Sequence, residues 1–228
     1  MGAYNKSHIQ AAITEGTIVC VPLRDTQIGP QGLLISLGNY YYRAEQGTPG
    51  VTHNPFDAED AERYFEGPFK ASPHTQQCSL SGLKPISRLA PEQSVVLLGP
   101  GQCIVAHSHE FIAAHDTAHL DTLPSWQQSG IAVIANFTHL SQIARLSLVI
   151  RNTNQHKHIL LPVGAPIAQL IFDGAPTLQN ATRASGAPRF ASMDIDSAIS
   201  VWTPSAILAP AMPLPAGPPP VIEGLRYA

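Results

Sequence analysis

Charged side chains are scarce in this sequence of 228 residues, because Asp, Glu, Lys and Arg together make up 13% of it. Soluble domains usually carry roughly 25%. No Asp or Glu occurs between Thr122 and Phe172, and no Lys or Arg occurs between Leu89 and Ala144. A general base needs a titratable group, and a polyphosphate needs cations, backbone amides or a metal held by carboxylates. The region where the two gaps overlap is therefore poorly equipped for either task.

The formal net charge of −3 argues against a nucleic-acid partner. A face that binds phosphate backbones requires clustered Lys and Arg, and this sequence has few of either. Interface cores are depleted in charge. The scarcity of charge therefore predicts that other subunits cover much of the surface.

Signals for disulfides, secretion and membrane insertion are also missing. Cys20, Cys78 and Cys103 form no CxxC pair, which indicates small buried hydrophobic residues. The start MGAYNKSHIQ lacks the apolar core of a secretory signal peptide. No apolar run reaches the roughly 18 residues of a membrane span. We expect a protein that is not secreted by a signal peptide and has no membrane partner.

The first half of the chain predicts one helix, two strands and an irregular insertion. Residues 4–16 predict a short helix with Ser7 as its N-cap and Gly16 at its end. The runs TIVCVPL and LLISLGNYYYRAE are apolar, β-branched and aromatic, as is typical of strands. Residues 46–88 contain five prolines and show no periodicity, apart from a possible helical turn in DAEDAERYFEG.

The second half predicts a β structure followed by an extended tail. From Ser94 onward, short runs such as GIAVIANF, ARLSLVIRN and HILLPVGAPIAQLIFD are separated by Gly and Pro, which favours an antiparallel sandwich or barrel. The final stretch, TPSAILAPAMPLPAGPPPVIEG, is rich in Pro and Ala and predicts an extended arm. The sequence thus divides into a β domain of residues 1–193, with an irregular insertion at 46–88, and a C-terminal arm of residues 194–228.

Four segments, in this order, resemble the dCTP deaminase and dUTPase superfamily, and most closely its deaminase branch. KSHIQAAITEGTIVCVP is similar to that branch's opening helix and strand, and IGPQGLLISLGNYYY to its LG-N-aromatic segment. LLGPGQCIVAHSHEFIAA resembles its PG-x-x-x-L-A-x-T-x-E strand, and ARLSLVIRNTNQHKHILLPVGAPIAQLIF resembles its last hairpin. The matched positions are Leu37, Gly38, Asn39, Gly101, Glu110, Leu148, Asn152, Gly164, Gln169, Leu170 and Phe172.

The resemblance implies a mainly β, dUTPase-like fold, that is, a distorted β-barrel or jelly-roll with a short N-terminal helix. It also implies a three-fold homotrimer. The matched glycines suit turns or bulges, and the matched Leu and Phe residues suit a core. The resemblance therefore implies a fold more than a chemistry.

The residues that grip phosphate in the deaminase branch are largely unmatched. Its Arg-Ser-Ser-x-x-Arg motif falls on TLPSWQQSGIAV, which keeps Ser125 and Ser129 but has no Arg. Its C-terminal clamp, a Lys-Tyr pair with a following Gln, falls on Arg189, Phe190 and Met193. Arg189 keeps the positive charge of the Lys, whereas Phe190 and Met193 lack the polar groups of the Tyr and the Gln.

The acidic residues of that branch are unmatched as well. Its Asp-Pro-Gly turn, which closes the nucleotide site, falls on THLSQIA. Its general-base Glu, which follows a Leu, falls on Val149 after Leu148. A shift of one or two residues does not restore an acid, because the gap in Asp and Glu spans the whole region.

A cluster of histidines offers a weak alternative. His107 and His109 alternate, so on a strand they face the same side, and with His115 or His119 they could bind zinc. The simpler interpretation is that they are solvated or hydrogen-bonded histidines. A zinc-dependent nucleobase deaminase is disfavoured, because the H-x-E and P-C-x-x-C elements are absent.

Two functions compete. The first is a non-catalytic, trimeric structural or binding module without a cofactor, for example a virion cement or decoration protein within a larger assembly. Trp126 and Trp202 are its candidate interface anchors. This function places the protein in the cytoplasm or in a virion.

The alternative is a divergent deoxynucleotide enzyme that deaminates dCTP or hydrolyses dUTP with Mg²⁺. Its site would have to be rebuilt from residues near the gaps. The candidate catalytic residues are Glu110, His139 and Arg145, with His107 and His109 nearby. The candidate nucleotide-binding residues are Ser125, Ser129, Gln142, Gln169 and Arg189.

Overall fold

The computed structural model describes residues 2–44, 52–54, 57–114, 117–135, 140, 142–174 and 195–208. Its strands are β1 (Gly2–Ala3), β2 (Ile18–Val21), β3 (Leu33–Ala44), β4 (Phe65–Lys70), β5 (Ser72–Pro73), β6 (Ser94–Leu98), β7 (Cys103–Ala114), β8 (Thr117–Thr122), β9 (Ile131–Ala135), β10 (Ala144–Asn152), β11 (Ile159–Pro162) and β12 (Pro166–Gly174). Its α-helices are α1 (Lys6–Glu15), α2 (Ala58–Arg63), α3 (His74–Leu80), α4 (Pro124–Gln128) and α5 (Ile195–Val201), and 3-10 helices cover Asp25–Gln27 and Pro204–Ile207.

The large sheet is organised around strand β7. Its strand order is β1-β12-β3-β7-β10-β9, with β2 also paired to β7, β4 to β3 and β8 to β12. All of these pairs are antiparallel. A smaller sheet, β11-β6-β5, lies beside it. The prediction of a mainly β, barrel-like fold is confirmed.

Helix α1 begins at a different cap from the one that the sequence predicted. Asn5, not Ser7, is the N-cap, and its side-chain oxygen accepts a hydrogen bond of 3.0 Å from the His8 backbone N–H. Ser7 lies in the first turn and donates to Asn5 Oδ1. The predicted end is confirmed, because Gly16 adopts φ 75° and caps the last carbonyls.

Part of the stretch 46–88, predicted to be irregular, forms regular elements. Helix α2 is capped by Asp57, and strand β4 pairs with β3, with Phe69 opposite Tyr41 and Glu66 opposite Arg43. A strand with Gly and Pro inside it becomes regular here because β3 supplies its hydrogen-bonding partner. Its weak local preference is therefore overridden by sheet pairing.

The core and a smaller apolar cluster lie on different sides of the sheet. Ile9, Leu33, Leu148 and Phe172 are fully enclosed members of the main core. The smaller cluster consists of Tyr42 and Val105 with Phe65, Val149, Trp202 and Leu208 packed against them. Trp202 and Leu208 belong to the predicted arm, part of which is helical: α5 and the 3-10 helix Pro204–Ile207 lie in it. Residues 209–228 lie outside the described residues.

No helix in the described ranges is long and apolar enough to cross a bilayer.

Candidate functional site on the face of strand β10

Strand β10 presents alternate side chains to the core and to the outer face. Leu146, Leu148 and Ile150 are buried in the core. The residues that alternate with them, Arg145, Ser147 and Val149, are partly buried on the opposite face. The candidate catalytic residue Arg145 and Val149, which the resemblance aligns with the general base, therefore lie on the same surface.

Irregular pairing in β7 positions His107 and Phe111 on either side of Arg145. The register of β7 against β10 shifts between the pairs Arg145–Phe111 and Ser147–His107. The hydroxyl of Ser108 fills this irregularity, because it accepts from the Leu146 backbone N–H at 2.8 Å and donates to the Glu110 carbonyl at 2.6 Å. Between these pairs β7 has two more residues than β10, so His107 and Phe111 remain on the same face of the strand.

The guanidinium of Arg145 lies between two aromatic rings. Its central carbon is 4.7 Å from the ring centroid of Phe111 and 4.5 Å from that of Trp202. Such contacts stabilise a cation that has lost part of its hydration. Burial lowers the pKa of Arg145, and the charge of Glu110 raises it. The cation is therefore held by aromatic faces, and its buried Nε has no hydrogen-bond partner among the described residues.

His107 is neutral and both of its ring nitrogens are engaged. Nε2 accepts from the Tyr40 backbone N–H at 3.2 Å, so the proton resides on Nδ1, which donates to the Ser108 carbonyl at 2.6 Å. The 2.9 Å separation between Arg145 Nη1 and His107 Nδ1 then joins two donors and is not a hydrogen bond. Burial is the main cause that lowers the pKa of His107 to about 4; the hydrogen bond to the Ser108 carbonyl opposes this shift, and the charges of Arg145 and His109 add to it. His107 therefore has no free lone pair for a metal.

The close approach of β3 to His107 explains a glycine in the LG-N segment. A Cβ at Gly38 would overlap the imidazole ring. Strand β3 bulges at this point, between the pairs Leu37–Ser108 and Tyr41–Ala106. Within this interruption, the imidazole Nε2 accepts a hydrogen bond from the backbone N–H of Tyr40.

Glu110 is enclosed and bound by neighbouring strands. Its side chain has no exposed surface. Oε1 accepts from Gln27 Nε2 at 2.6 Å, and Oε2 accepts from the Ser36 backbone N–H at 3.0 Å. The guanidinium of Arg24 lies 3.9 Å from Oε1. Burial first, and then the charge of Glu110, raise the pKa of Cys20 to about 12. The carboxylate thus ties β7 to β3 and to the 3-10 helix Asp25–Gln27.

The candidate nucleotide-binding residues do not form one site with Glu110 and Arg145. Ser125 lies in α4, and Ser129 caps its end by donating to the Ser125 carbonyl at 2.8 Å. Gln169, in the middle of β12, lines a cavity of about 440 Å³ that does not include either serine. Gln142 is exposed just before β10. His139 and Arg189 lie outside the described residues, as do Phe190 and Met193.

The histidines do not assemble into a metal site in the described part of the chain. No three His, Cys, Asp or Glu side chains there come together as metal ligands would. His119 lies on β8, with Nδ1 3.3 Å from Asp173 Oδ2. His115 is outside the described residues. The zinc alternative is left without a grouped set of ligands in the part of the chain that is described.

The two tryptophans occupy different environments. Trp126 packs against the main core and donates from Nε1 to the Pro166 carbonyl at 2.9 Å. Trp202 lies over His107, with ring centroids 4.7 Å apart, and near Tyr40 at 6.4 Å. All of these contacts of Trp126 and Trp202 are with residues of the same chain. The role of either residue as an interface anchor stays a prediction.

Sequence reasoning missed the residues that hold the candidates in place. Gln27 binds Glu110 from a segment that carries no motif, and Phe111 looks like an ordinary strand residue. Ser36 and Tyr40 flank Leu37, Gly38 and Asn39 of the LG-N-aromatic segment, but the motif does not indicate that they bind Glu110 and His107. The signal that was available is Gly38, because a glycine inside an aromatic β run marks a close approach.

Comparisons with known proteins place these observations in a family. The family model described as dCTP deaminase-like matches residues 4–175. Among solved structures, the 2′-deoxycytidine 5′-triphosphate deaminase from Agrobacterium tumefaciens is similar, with a TM-score of 0.50 and 18% sequence identity. The match covers 75% of this chain and 48% of that chain, so it spans about half of the length of the enzyme. This likeness concerns the fold. No curated protein matches the chain.

Proposed function

Because the chain belongs to the dCTP deaminase-like family, we propose that it is a non-catalytic member that acts as a homotrimeric structural or binding module. The observation that carries this proposal is the environment of Val149. The family resemblance assigns the general base to this position. Here it is an aliphatic side chain packed with Trp202 and Leu208 in an apolar cluster. A valine neither accepts nor releases a proton.

The surviving ionisable groups nearby support the same proposal. Glu110 is enclosed and both of its oxygens accept hydrogen bonds from within the chain. His107 is neutral with both ring nitrogens engaged. A general base must reach the proton that it removes. Neither group reaches a solvent-borne substrate without breaking contacts of the fold.

A binding role in an assembly fits the composition of the surface. The chain carries only 13% charged residues, and apolar side chains on β9 and α5 are exposed, including Ile134 at 61% and Val201 at 76%. Such surface favours association with other chains. A three-fold block suits a symmetric lattice, so use as a virion cement protein is one form of this proposal.

An activity assay tests the proposal. The full chain is incubated with dCTP, dUTP and Mg²⁺, and a dCTP deaminase of known activity serves as the positive control. We expect neither deamination nor release of pyrophosphate. Turnover that is abolished by Arg145→Gln and kept by Arg88→Gln, which removes an exposed cation elsewhere, would establish the divergent enzyme instead.

Assembly is tested separately. Light scattering after size exclusion should give a mass of three chains, and a monomer at micromolar concentration would contradict the trimer. In a thermal-shift titration with deoxynucleotides, a shift that Arg145→Gln abolishes and Lys70→Gln keeps would indicate a module that still binds nucleotide on the face of β10, and a purely structural module should show no such shift.

A further inference from the structure

We propose that a second cavity, bounded by β3, β4, α3 and the turn after β6, binds a small phosphate-bearing anion. Its volume is about 440 Å³, within the range of small-molecule sites. Three basic side chains line it: Arg43, Lys70 and His158. This site is independent of the proposed loss of catalysis, and it does not involve the face of β10.

The two surfaces lie on opposite sides of strand β3. Tyr42 packs in the apolar cluster with Val149 and Trp202, whereas its neighbours Tyr41 and Arg43 line the cavity. Successive side chains of a strand point to opposite faces, which explains the separation. A ligand in the cavity therefore does not compete for space with Trp202 and Leu208 of the apolar cluster.

The cavity is lined by basic residues although the chain as a whole is acidic. The chain as a whole has a net charge of −3, yet no residue that lines the cavity is Asp or Glu. Glu66 is opposite Arg43 in the β3–β4 register, but no ion pair joins them. None of the three basic residues belongs to the stretch Leu89–Ala144 that lacks Lys and Arg. The positive charges of Arg43 and Lys70 are therefore not neutralised by an acid in the cavity wall.

Arg43 is held in place as a rigid donor. Its guanidinium carbon is 4.7 Å from the Phe69 ring centroid and 5.5 Å from that of Tyr41. Nη2 donates to the Tyr41 hydroxyl at 3.1 Å, and the buried Nε has no partner among the described residues. A guanidinium that is fixed in this way loses little freedom when an anion binds, and it retains donors to offer.

The remaining polar groups of the wall suit a phosphate. Ser72, Ser81 and Gln77 add hydroxyl and amide donors to the ammonium of Lys70 and the imidazole of His158. A phosphate dianion accepts several charge-assisted hydrogen bonds at once. The volume leaves room for an attached group of about the size of a sugar, so a phosphomonoester is the class of ligand that matches both charge and space.

Titration calorimetry on the full chain tests the site. The probes are inorganic phosphate and glycerol 3-phosphate, and a chloride titration of equal ionic strength is the blank. We expect both probes to bind, and Lys70→Gln to weaken the affinity by about tenfold or more, as loss of one charge-assisted hydrogen bond implies. Lys70 is exposed on β4, so this variant leaves the core intact.

A matched control separates a built site from general attraction. Lys84→Gln removes the same charge from an exposed position that does not line the cavity, and it should leave the affinity unchanged. Arg43→Lys, which keeps the charge but loses the planar fork, should weaken binding as well. Absence of binding to the wild-type chain at millimolar phosphate, or equal weakening by Lys70→Gln and Lys84→Gln, would overturn the proposal. Either result leaves the activity assay unaffected.

Discussion

Glu110 and Gln27 meet inside the protein through a hydrogen bond of 2.6 Å from the Gln27 amide to the Glu110 carboxylate. Both side chains are buried, with 0% and 2% of their surface exposed. The second carboxylate oxygen accepts from the backbone of Ser36. The strand that carries Glu110 is thereby joined to two segments of the N-terminal region.

Glu110→Gln should destabilise the fold although it preserves the shape of the side chain. The new amide has one oxygen, so either Gln27 or Ser36 must face another donor. We expect the free energy of unfolding to fall by about 2 to 3 kcal/mol, as for a buried donor without an acceptor. Urea denaturation measures this, with Glu92→Gln at an exposed position as the control. An unchanged free energy of unfolding in Glu110→Gln would contradict the described geometry.

The pKa of His107 predicts a loss of stability in mild acid. Burial lowers this pKa from 6.5 to about 4, so the folded state favours the neutral ring. The contribution is fully present above pH 6.5 and is lost as the pH falls towards 4, and it is on the order of 3 kcal/mol. The free energy of unfolding between pH 7 and pH 4 should therefore decline less in His107→Gln than in the wild type. His156→Gln, at an exposed position, should retain the wild-type slope; identical slopes in all three proteins would argue against a buried neutral His107.

The stacking of Arg145 on Trp202 predicts an energetic coupling. Because the guanidinium is 4.5 Å from the indole centroid, Trp202→Ala and Arg145→Gln should not be additive. We expect a coupling energy of about 0.5 to 2 kcal/mol in a double-mutant cycle followed by urea denaturation. Trp202→Phe keeps an aromatic face and should retain part of it. Strict additivity would mean that Trp202 does not pack against Arg145 of β10 in solution.

The revised cap of helix α1 is testable by a matched pair. Asn5→Ala removes the acceptor for the His8 N–H and should lower the free energy of unfolding by about 1 kcal/mol. Ser7→Ala should lower it by only a few tenths, because Ser7 lies within the first turn. A larger loss of unfolding free energy in Ser7→Ala than in Asn5→Ala would indicate that Ser7 is the cap. Thermal unfolding followed by circular dichroism is sufficient for the comparison.

Local patterns in the sequence predicted helix α1 and most of the strands but not the contacts between them. The helix that ends at Gly16 and the strands rich in β-branched residues follow from neighbouring residues alone. Glu110 binds residues that are 83 and 74 positions away, and no periodicity reports a partner at that distance. Strand β4 was missed for the same reason, since its order depends on pairing with β3.

The position of Trp202 shows another limit of sequence reasoning. Its segment looks like the beginning of a Pro-rich tail, and nothing local indicates that its indole lies over His107 and Arg145. The resemblance did predict the fold, and it aligned Val149 with the slot of the general base, which stays a prediction. It could not indicate that the slot is covered by an apolar cluster, because that cluster joins residues from four separate strands and the C-terminal segment.

The central place of β7 has a consequence for synthesis on the ribosome. One edge of this strand pairs with β2 and β3, which are made long before it, and the other edge pairs with β10, which is made after it. The edges of β2 and β3 that face β7 therefore remain without a partner strand until the middle of the chain emerges. Such delayed, long-range pairing slows folding, and it leaves unpaired strand edges that can aggregate with neighbouring nascent chains. Production of this protein should consequently improve at low temperature and with abundant holdase chaperones.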